Sequence, residues 1–321
     1  MDRQLSLEFA RITEQAALKS ARLVGLGDKE GADQAAVDGM HEQFALTPVS
    51  GTVVIGEGEI DEAPMLYIGE HVGQGGEEVD IAVDPVEGTN LVAKGKNGAI
   101  AVLAIAPKGC LLHAPDMYMQ KICVGPRAKG RIDIRASVTE NLKNVADAMG
   151  REVSDLTMVI LDRERHEKII REAREAGARV YLITDGDVVP SVDCGIQGSG
   201  IHMVMGSGGA PEGVLSAVGL KCLGGDMQAR LLPQTEQEIQ RLHTMGIDDP
   251  NKVLTLDDLV KGDDCIFAET AITDCAMLRG VRFFCGGART STLVLRYKTG
   301  TVRFIDTVHR FGEDKPGVRM F

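Results

Sequence analysis

The chain has 321 residues, of which 44% are hydrophobic and 26% are charged, values typical of a soluble globular protein. This length predicts two domains or one large one, and it excludes a small scaffold held together by disulfides. Acidic residues outnumber basic ones by 47 to 35, which gives a net charge of −12. Because the chain is acidic and only 4% aromatic, it lacks the features of a nucleic-acid-binding protein, and no nucleic acid partner is expected.

Cysteine spacing and apolar stretches indicate the compartment. The seven cysteines lie at least ten positions apart, so no CxxC pair is present, and an odd, scattered set is typical of reduced thiols in the cytoplasm. The residues at the N-terminus do not resemble a secretory signal peptide. The longest weakly polar stretch, Gly98 to Pro107, is about half of the ~20 residues that a transmembrane helix needs. We therefore expect a cytoplasmic protein without a membrane span.

The first half of the chain predicts helices followed by strands. Apolar residues from Leu5 to Val24 recur at three- and four-residue spacing, which predicts an amphipathic helix, and a second helix is expected after Asp33. Two short β-branched runs predict buried strands that end in acidic loops. These two runs are Thr52–Ile55 and Asp80–Val83. The other elements expected here are strands at Ala99–Ala106 and Met117–Val124 and a helix at Thr139–Met149 with a threonine N-cap.

The second half alternates strands and helices, which predicts parallel βαβ units. We expect a domain boundary near Gly150 to Asp155, with one domain at 1–153 and another at 154–321, and a frayed tail from Gly312. The expected elements are strands at Thr157–Leu161, Arg179–Ile183, Ile201–Met205, Val281–Phe284, Thr290–Tyr297 and Thr301–Val308, and helices at Arg163–Ala176, after Pro211 and at Thr235–Met245.

The sharpest motif, Asp84-Pro85-Val86-Glu87-Gly88-Thr89, directly follows an apolar run. Two carboxylates three positions apart at a strand end can bind one cation, while proline fixes the turn and glycine lets a ligand approach the backbone. Thr89 would then present its hydroxyl beside the cation. Taken alone, the spacing is equally compatible with an acidic turn followed by an N-cap threonine.

A second acidic segment, Gly56 to Glu62, follows the other early strand and carries four carboxylates within six residues. Like charges at this density repel one another unless water or cations separate them. On its own, such a segment is more often a solvated loop. Two acidic loops, each after an apolar strand, favour a shared binuclear metal site, in which two cations bind a phosphate, activate water and stabilise the leaving oxygen.

The second half supplies candidate phosphate-binding residues. Arg163, Arg165 and His166 follow a predicted strand, and a glycine-rich run at 206–213 precedes a predicted helix, whose N-terminal N–H groups favour anions. Each feature is also compatible with surface arginines or a simple turn. A dinucleotide site is disfavoured because Pro211 stands where the GxGxxG motif needs its third glycine. The histidine pairs of zinc hydrolases, the G-x-S-x-G elbow and the P-loop lysine motif are absent.

These motifs, in this order, closely resemble the class II fructose-1,6-bisphosphatases of bacteria, within the lithium-sensitive phosphatase superfamily. The resemblance runs from about residue 4 to about residue 310. The motif at 84–89 alone indicates only the superfamily, whereas the others together are specific to class II. Those others are Gly27-Asp28-Lys29 with Ala32-Asp33-Gln34, Val54 to Glu59, Asp61 to Leu66, Ala114 to Met119, Asp185-Gly186-Asp187 and Gly209 to Gly213.

The resemblance implies an α/β fold, a layered αβαβα sandwich of the sugar and inositol phosphatase type, with the metal site between two lobes. It implies metal-dependent hydrolysis of fructose 1,6-bisphosphate to fructose 6-phosphate and phosphate, a step of gluconeogenesis, by direct attack of water on the 1-phosphate. The cofactor implied is Mn²⁺ or Mg²⁺, with two or more ions per site. We also expect a homo-oligomer, a dimer or a tetramer.

The resemblance further implies roles for individual residues. Asp61 and Thr89 would activate the attacking water, and Lys29 would offset charge nearby. Divalent metal would be held by Asp33, Glu57, Asp84, Glu87 and Glu212, most of them in the first lobe. The sugar bisphosphate would contact Glu87, Gly88, Thr89, Tyr118, Arg163, Glu164, Arg165, Asp185, Gly186, Asp187 and Gly209.

One position departs from the family pattern. The family commonly has Asp-Arg-Pro-Arg-His at 162–166, whereas this chain has Glu164 between the two arginines, so that its carboxylate either weakens the phosphate subsite or points away from it. Cyanobacterial relatives of the family also accept sedoheptulose 1,7-bisphosphate, so a dual activity is an alternative. Further alternatives are another lithium-sensitive sugar or inositol phosphatase, a nucleotide-dependent oxidoreductase and a non-catalytic sugar-phosphate binding protein; the presence of Asp61 and Thr89 disfavours the last.

Overall fold

The structure is a computed structural model, and it describes residues 1–58, 64–244, 247, 249 and 251–311. Its helices are α1 (Leu5–Ser20), α2 (Lys29–Phe44), α3 (Thr89–Ala93), α4 (Val138–Met149), α5 (Glu167–Glu175), α6 (Val188–Asp193), α7 (Ala210–Leu223), α8 (Glu236–Thr244) and α9 (Leu256–Leu259). Its strands are β1 (Val49–Ile55), β2 (His71–Val72), β3 (Glu77–Glu87), β4 (Ile100–Pro107), β5 (Tyr118–Val124), β6 (Thr157–Leu161), β7 (Arg179–Ile183), β8 (Met203–Gly209), β9 (Asp226–Leu232), β10 (Leu254–Thr255), β11 (Ile266–Ala271), β12 (Arg282–Phe284), β13 (Gly287–Arg296) and β14 (Thr301–Arg310).

The chain forms two compact units, and their bounds differ from the predicted domains. One unit comprises Met1–Cys110 and Asp263–Phe321, and the other comprises Leu111–Gly262. Residues 111–153 join the second unit because β5 hydrogen-bonds to both β8 and β9. The chain returns to the first unit because β11 pairs with β4. A single boundary near residue 153 therefore does not describe a chain in which one unit is inserted into the other.

The first unit is built on a mixed sheet in the order β12-β13-β11-β4-β3-β1-β2, with β14 also paired to β13. β1 and β3 run parallel, whereas β3 and β4, and β4 and β11, run antiparallel. Helices α1 and α2 bury apolar side chains against this sheet, and these form the unit's core. The largest fully buried side chains in that core include Phe9, Phe44 and Met40.

The second unit is built on a mixed sheet in the order β10-β9-β5-β8-β6-β7. The predicted βαβ unit is confirmed for β6, α5 and β7, and β8 also runs parallel to β6. The expectation of parallel pairing does not extend further, because β5 pairs antiparallel with both of its neighbours. One face of the sheet packs against α4 and α5 through a core that includes Ile122, Val124 and Leu142.

Several helices begin at residues other than those predicted, among them α5, which starts at Glu167 and not at Arg163 because a 3-10 turn precedes it. Helix α2 starts at Lys29 because the Asp28 side chain accepts a hydrogen bond from the Gly31 amide, so Asp33 lies inside the helix. Helix α4 is capped by Ser137, whose hydroxyl accepts from the Glu140 amide at 3.1 Å, and not by a threonine at 139. A good capping residue lies upstream of the predicted starts of α2 and α4, five residues before Asp33 and two before Thr139, which explains the shift.

The state of the cysteines and the length and polarity of the helices agree with what the sequence predicted. All seven cysteines are thiols and not disulfides, as their spacing predicted. Among the described residues, the helices are too short or too polar to cross a membrane. The predicted frayed tail from Gly312 lies outside the described residues.

Candidate functional site

In the first unit, the two acidic motifs lie at the ends of neighbouring strands. β1 and β3 are parallel, and Ile55 is paired with Ala82. Glu57 and Asp84 each lie two residues beyond this pair, so the sheet places them in the same row at the carboxyl ends of adjacent strands. The structure confirms a buried strand before Glu57, whereas Asp84 and Glu87 lie within β3, which extends past the predicted Asp80–Val83 as far as Glu87.

A bulge in β3 determines how the Asp84 motif is presented. Pairing with β4 shifts register between Asp84, opposite Val102, and Glu87, opposite Ile100. Three steps along β3 therefore match two along β4, and the extra residue lies at Pro85 or Val86. Side chains alternate in a regular strand, so Asp84 and Glu87 would point to opposite faces, and the bulge brings both toward one face.

The turn after the bulge places Thr89 at the start of a helix. Gly88 is the N-cap of α3 and has φ of 93°, a left-handed conformation that favours glycine. Thr89 is the first residue of α3 and is half-buried, while Glu87 is only 4% exposed. A threonine hydroxyl and two carboxylates are thus delivered by six consecutive residues.

Asp33 and Glu57 form a carboxyl pair joined by a side-chain hydrogen bond. Burial and the neighbouring Asp33 carboxylate raise the pKa of Glu57 to about 8, and burial also raises the pKa of Asp33. Glu57 is therefore protonated at neutral pH in the absence of a cation, because two buried negative charges repel each other. Lys29, one turn before Asp33 on α2, lies close enough to act against this rise at Asp33.

In the second unit, Arg165 is held at the carboxyl end of β8. Its Nε donates to Ser207 Oγ at 3.0 Å and its Nη2 to the Ser207 carbonyl at 2.8 Å. The guanidinium lies over the Tyr118 ring, 4.9 Å from the centroid. His166 contacts the same serine, with its Nε2 3.0 Å from Ser207 Oγ. A fixed guanidinium beside a glycine-rich strand end is an arrangement suited to an anion.

The two residues before Arg165 face different surroundings. Arg163 donates from Nη2 to the Thr184 carbonyl at 2.7 Å and from Nη1 to the Asp162 carbonyl at 3.1 Å. Glu164, at the first position of a short 3-10 turn, is exposed to solvent. Arg163 thus links the end of β6 to the loop after β7, where Asp185 and Gly186 lie.

A buried cluster of charged residues lies between the second sheet and helices α6 and α7. Lys121 Nζ donates to Asp187 Oδ1 at 2.7 Å, and the two side chains are 1% and 8% exposed. Burial acts to lower the pKa of Lys121, but the carboxylates of Asp187 and Glu212 outweigh it, and the pKa is raised. Burial also raises the pKa of Glu212, whose Oε2 is enclosed and has no hydrogen-bond partner among the described residues.

Two residues of this site have no place in the sequence-based assignment. Lys121 stands in the strand sequence Met119-Gln120-Lys121-Ile122, at a position where alternation predicts a buried side chain. A lysine at such a position signals a buried ion pair. Ser207 was noted only as part of a glycine-rich run, although it anchors both Arg165 and His166.

The structure brings together some of the predicted residues. In the first unit Asp33 contacts Glu57, and Asp84 lies in the same row as Glu57 on the adjacent strand. In the second unit the carboxylates of Asp187 and Glu212 both act on Lys121. Within the described residues, three or more Asp, Glu, His or Cys side chains do not come together closely enough to form a metal site. Asp61 lies outside the described residues.

The donor set nevertheless fits a divalent cation. Asp33 and Glu57 present hard oxygen ligands that share a proton, and Asp84 lies beside them at the sheet edge. Glu212 presents an enclosed carboxylate oxygen to which no described residue donates a hydrogen bond. Carboxylates that repel each other or lack donors are stabilised by a cation.

Comparison with known proteins identifies the class of enzyme to which these sites belong. Residues 3–309 match the model of the family described as bacterial fructose-1,6-bisphosphatase, glpX-encoded. The chain belongs to this family.

Curated cyanobacterial proteins are similar along their entire length. One from Synechococcus sp. (strain JA-2-3B'a(2-13)) is 50% identical, with all of both chains covered. Others from Crocosphaera subtropica and Trichodesmium erythraeum are 48% and 47% identical, with 96% and 98% of this chain and 97% and 99% of theirs covered. All three are named D-fructose 1,6-bisphosphatase class 2/sedoheptulose 1,7-bisphosphatase.

Proposed function

We propose that the protein hydrolyses fructose 1,6-bisphosphate to fructose 6-phosphate and inorganic phosphate. The observation that carries the proposal is the set of acidic side chains at two adjacent strand ends, in a chain that matches this phosphatase family over residues 3–309. Water supplies the new P–O bond, the bond from phosphorus to the O1 oxygen of the sugar breaks, and that oxygen leaves with a proton.

In the first unit, Asp33, Glu57, Asp84 and Glu87 are proposed to hold divalent metal, and Glu212 of the second unit is proposed as a further ligand. Divalent metal supplies neutralisation of phosphate charge and a lower pKa for water. Thr89 and Asp61 are proposed to orient the attacking water, and the Asp61 carboxylate to accept its proton. Lys29, through its proximity to Asp33, stabilises the charged form of that carboxylate and offsets part of the negative charge of the pair.

In the second unit, Arg165 is proposed to bind a substrate phosphate, since its guanidinium is already oriented by Ser207 and Tyr118. Arg163 is proposed to order the adjoining loop for substrate hydroxyl groups. The other proposed substrate contacts are Glu87, Gly88, Thr89, Tyr118, Glu164, Asp185, Gly186, Asp187 and Gly209.

Hydrolysis of sedoheptulose 1,7-bisphosphate is a second candidate activity. The names of the relatives at 47–50% identity favour it, because each combines both activities. A metal site between two lobes of an αβαβα sandwich, Mn²⁺ rather than Mg²⁺, a homo-oligomer and a cytoplasmic location stay predictions.

Phosphate release by the chelator-treated protein tests the proposal. Fructose 1,6-bisphosphate, sedoheptulose 1,7-bisphosphate and inositol 1-phosphate are compared with and without added Mn²⁺ or Mg²⁺. We expect metal-dependent release from the fructose bisphosphate and none from the inositol phosphate. Absence of release from all three with either metal would rule out the proposed activity.

Substitutions assign the roles. Asp84→Asn is expected to abolish both metal binding and turnover, whereas Thr89→Ala is expected to lower turnover by at least about a hundredfold while metal binding persists. Glu30→Gln, an exposed carboxylate on the first turn of α2, is the matched control and should keep both properties. Glu164→Pro restores the family residue, and a lower KM would show that the Glu164 carboxylate weakens substrate binding.

A further inference from the structure

A cavity lies in the second unit, at the opposite end of its sheet from Arg165. It has a volume of about 680 Å³, within the range of small-molecule sites. Arg127, Arg151, Arg179 and His202 line it, together with the glycine-rich loop 195–200. Aspartate and glutamate are absent from its lining, although the chain as a whole has a net charge of −12.

Strand direction places this cavity away from the candidate phosphate site. β5 and β8 are antiparallel, with Tyr118 opposite Gly209 at one end and Val124 opposite Met203 at the other. The cavity adjoins the second end, since Gly125 and His202 flank those residues and line it. Ser207, which holds Arg165, lies five residues beyond His202 along the chain, about 16 Å at the rise of an extended strand.

At the cavity wall, each ring nitrogen of His202 faces a hydrogen-bond donor. The Thr157 amide donates to Nδ1 at 2.9 Å, and Arg151 Nη1 lies 2.9 Å from Nε2. A neutral imidazole has only one acceptor nitrogen, so it cannot accept from both donors. Burial and the charges of Arg151 and Arg179 lower the pKa of His202, which keeps the ring neutral. Because Nδ1 accepts from the Thr157 amide, Nε2 carries the proton, and the Arg151 guanidinium faces this second donor and not an acceptor.

The guanidinium groups of Arg127, Arg151 and Arg179 have N–H groups that can donate to a ligand. Arg179 Nη2 donates to the Asp155 carbonyl at 2.6 Å, and no salt bridge engages Arg127, Arg151 or Arg179 within the described residues. All three guanidinium groups belong to solvent-exposed residues, so a ligand can reach them. A guanidinium group can donate two parallel hydrogen bonds to phosphate oxygens, so three arginines around one cavity favour a ligand that carries phosphate.

We propose that this cavity binds a phosphorylated small molecule, as an anion site separate from the candidate catalytic residues. Its phosphate accepts hydrogen bonds from Arg127, Arg151 and Arg179, and the apolar and glycine-rich wall encloses the rest of the ligand. The 680 Å³ volume exceeds that of a single phosphate group, which favours a phosphate ester over the free ion. The proposal does not depend on the catalytic activity of the protein.

Calorimetric titration of the full chain with inorganic phosphate and with pyrophosphate, in the presence of EDTA, tests this site. EDTA removes divalent metal, so that anion binding by a metal site does not contribute. We expect binding of pyrophosphate that weakens about tenfold in Arg127→Gln and in Arg179→Gln, the loss of one charge-assisted contact each. Arg127 has no contact that maintains the fold among the described hydrogen bonds, so its variant tests binding without unfolding.

Arg174→Gln, at an exposed arginine of α5 that does not line the cavity, is the matched control, and it should retain the affinity of the wild type. Arg165→Gln reports separately on anion binding by the candidate phosphate site at the other end of the sheet. Affinity that falls in Arg165→Gln and stays within twofold in Arg127→Gln and Arg179→Gln would overturn the proposal. So would a wild-type protein that binds neither anion more tightly than about 10 mM. Stronger binding of pyrophosphate than of phosphate would support the phosphate ester over the free ion.

Discussion

At the scale of single residues, Lys121 and Asp187 form an ion pair that is buried in the interior of the second unit. Both side chains are almost fully buried, so each charge depends on the other for the interactions that water would have supplied. Glu212 adds a second carboxylate beside the same ammonium. Lys121 therefore stabilises two of the residues assigned to the candidate site.

Lys121→Met should lower the free energy of unfolding at pH 7 by about 3–5 kcal/mol, because it leaves the Asp187 carboxylate buried without its partner. Denaturant unfolding measures the change. Lys221→Met is a matched control, because Lys221 is also buried but its removal leaves no buried charge. Its carboxylate partner Asp257 is 87% exposed, and Lys221 also donates to the uncharged Val260 carbonyl at 2.6 Å. Equal losses in the two variants would contradict the assigned role, and Lys121→Met with Asp187→Asn should recover part of the loss.

Asp193 predicts a dependence of stability on pH. Its side chain is buried, both carboxyl oxygens lack hydrogen-bond partners among the described residues, and burial raises its pKa from 3.8 to about 7. Between these values the folded protein retains a proton that the unfolded chain releases. The contribution to stability is therefore complete below pH 4 and is lost as pH rises to about 7, by about 1.4 kcal/mol per pH unit.

Asp193→Asn removes this titration. Unfolding free energies of the variant and the wild type, measured from pH 4 to pH 8, should show the variant gaining relative stability up to about pH 7 and no further. Glu152→Gln, an exposed carboxyl in the same unit, should track the wild type at every pH. A constant difference between Asp193→Asn and the wild type would mean that the pKa of Asp193 is not raised.

At the scale of elements, the end of β1 depends on a close backbone approach at Gly56. A Cβ atom at this position would lie 1.9 Å from the Leu66 carbonyl oxygen. The same carbonyl accepts a hydrogen bond at 3.0 Å from the amide of Glu57. The segment at Leu66 therefore fixes the position of a proposed metal ligand through the backbone, and only glycine allows that contact.

Gly56→Ala should displace Glu57 and lower the rate of phosphate release by at least about tenfold, since shifts near 1 Å at an active site reduce rates strongly. It should also lower the thermal midpoint. Gly69→Ala is the control, because that glycine has φ of 95° but no atom within 4 Å of an added Cβ, and it introduces backbone strain without a clash. A rate for Gly56→Ala equal to that of the control would refute the dependence.

Local patterns predicted most elements but not their partners. The apolar run before Asp84 and the periodicity of α1 each identify an element, because they reflect which side chains are buried within a few residues. The bulge at 85–86 depends on pairing with β4, and the ion pair of Lys121 joins residues 66 positions apart. Such long-range contacts leave little trace in a local pattern, so the pairing around the candidate site could not be predicted from the sequence.

At the scale of the whole molecule, the same reasoning explains why the predicted division into domains differs from the observed units. The change of pattern near residue 155 is real, since it marks the start of the parallel strands β6 and β7. The structural unit, however, begins at Leu111, because β5 supplies the middle of that sheet. Composition detects a change in the type of strand, whereas the unit is defined by which strands pair.

The outermost strand of the first unit carries an apolar surface suited to a second copy of the chain. Among the described strands, β14 pairs with β13 alone, over ten residues. Val302, Phe304 and Val308 lie on one face of this strand and are 45%, 50% and 51% exposed. An antiparallel contact of this strand with its own copy around a two-fold axis would satisfy the outer backbone groups and place these side chains beside those of the copy.

Phe304→Asp should therefore reduce the molar mass of the protein in solution, measured by light scattering after size-exclusion chromatography, because it places two carboxylates across that axis. The fold of the unit should persist, since the side chain is half exposed and lies outside the core. Tyr181→Asp, an equally exposed aromatic residue on the second unit at 59%, should leave the mass unchanged. A wild-type protein that is monomeric, or a Phe304→Asp protein with the wild-type mass, would show that this strand is not the interface between copies.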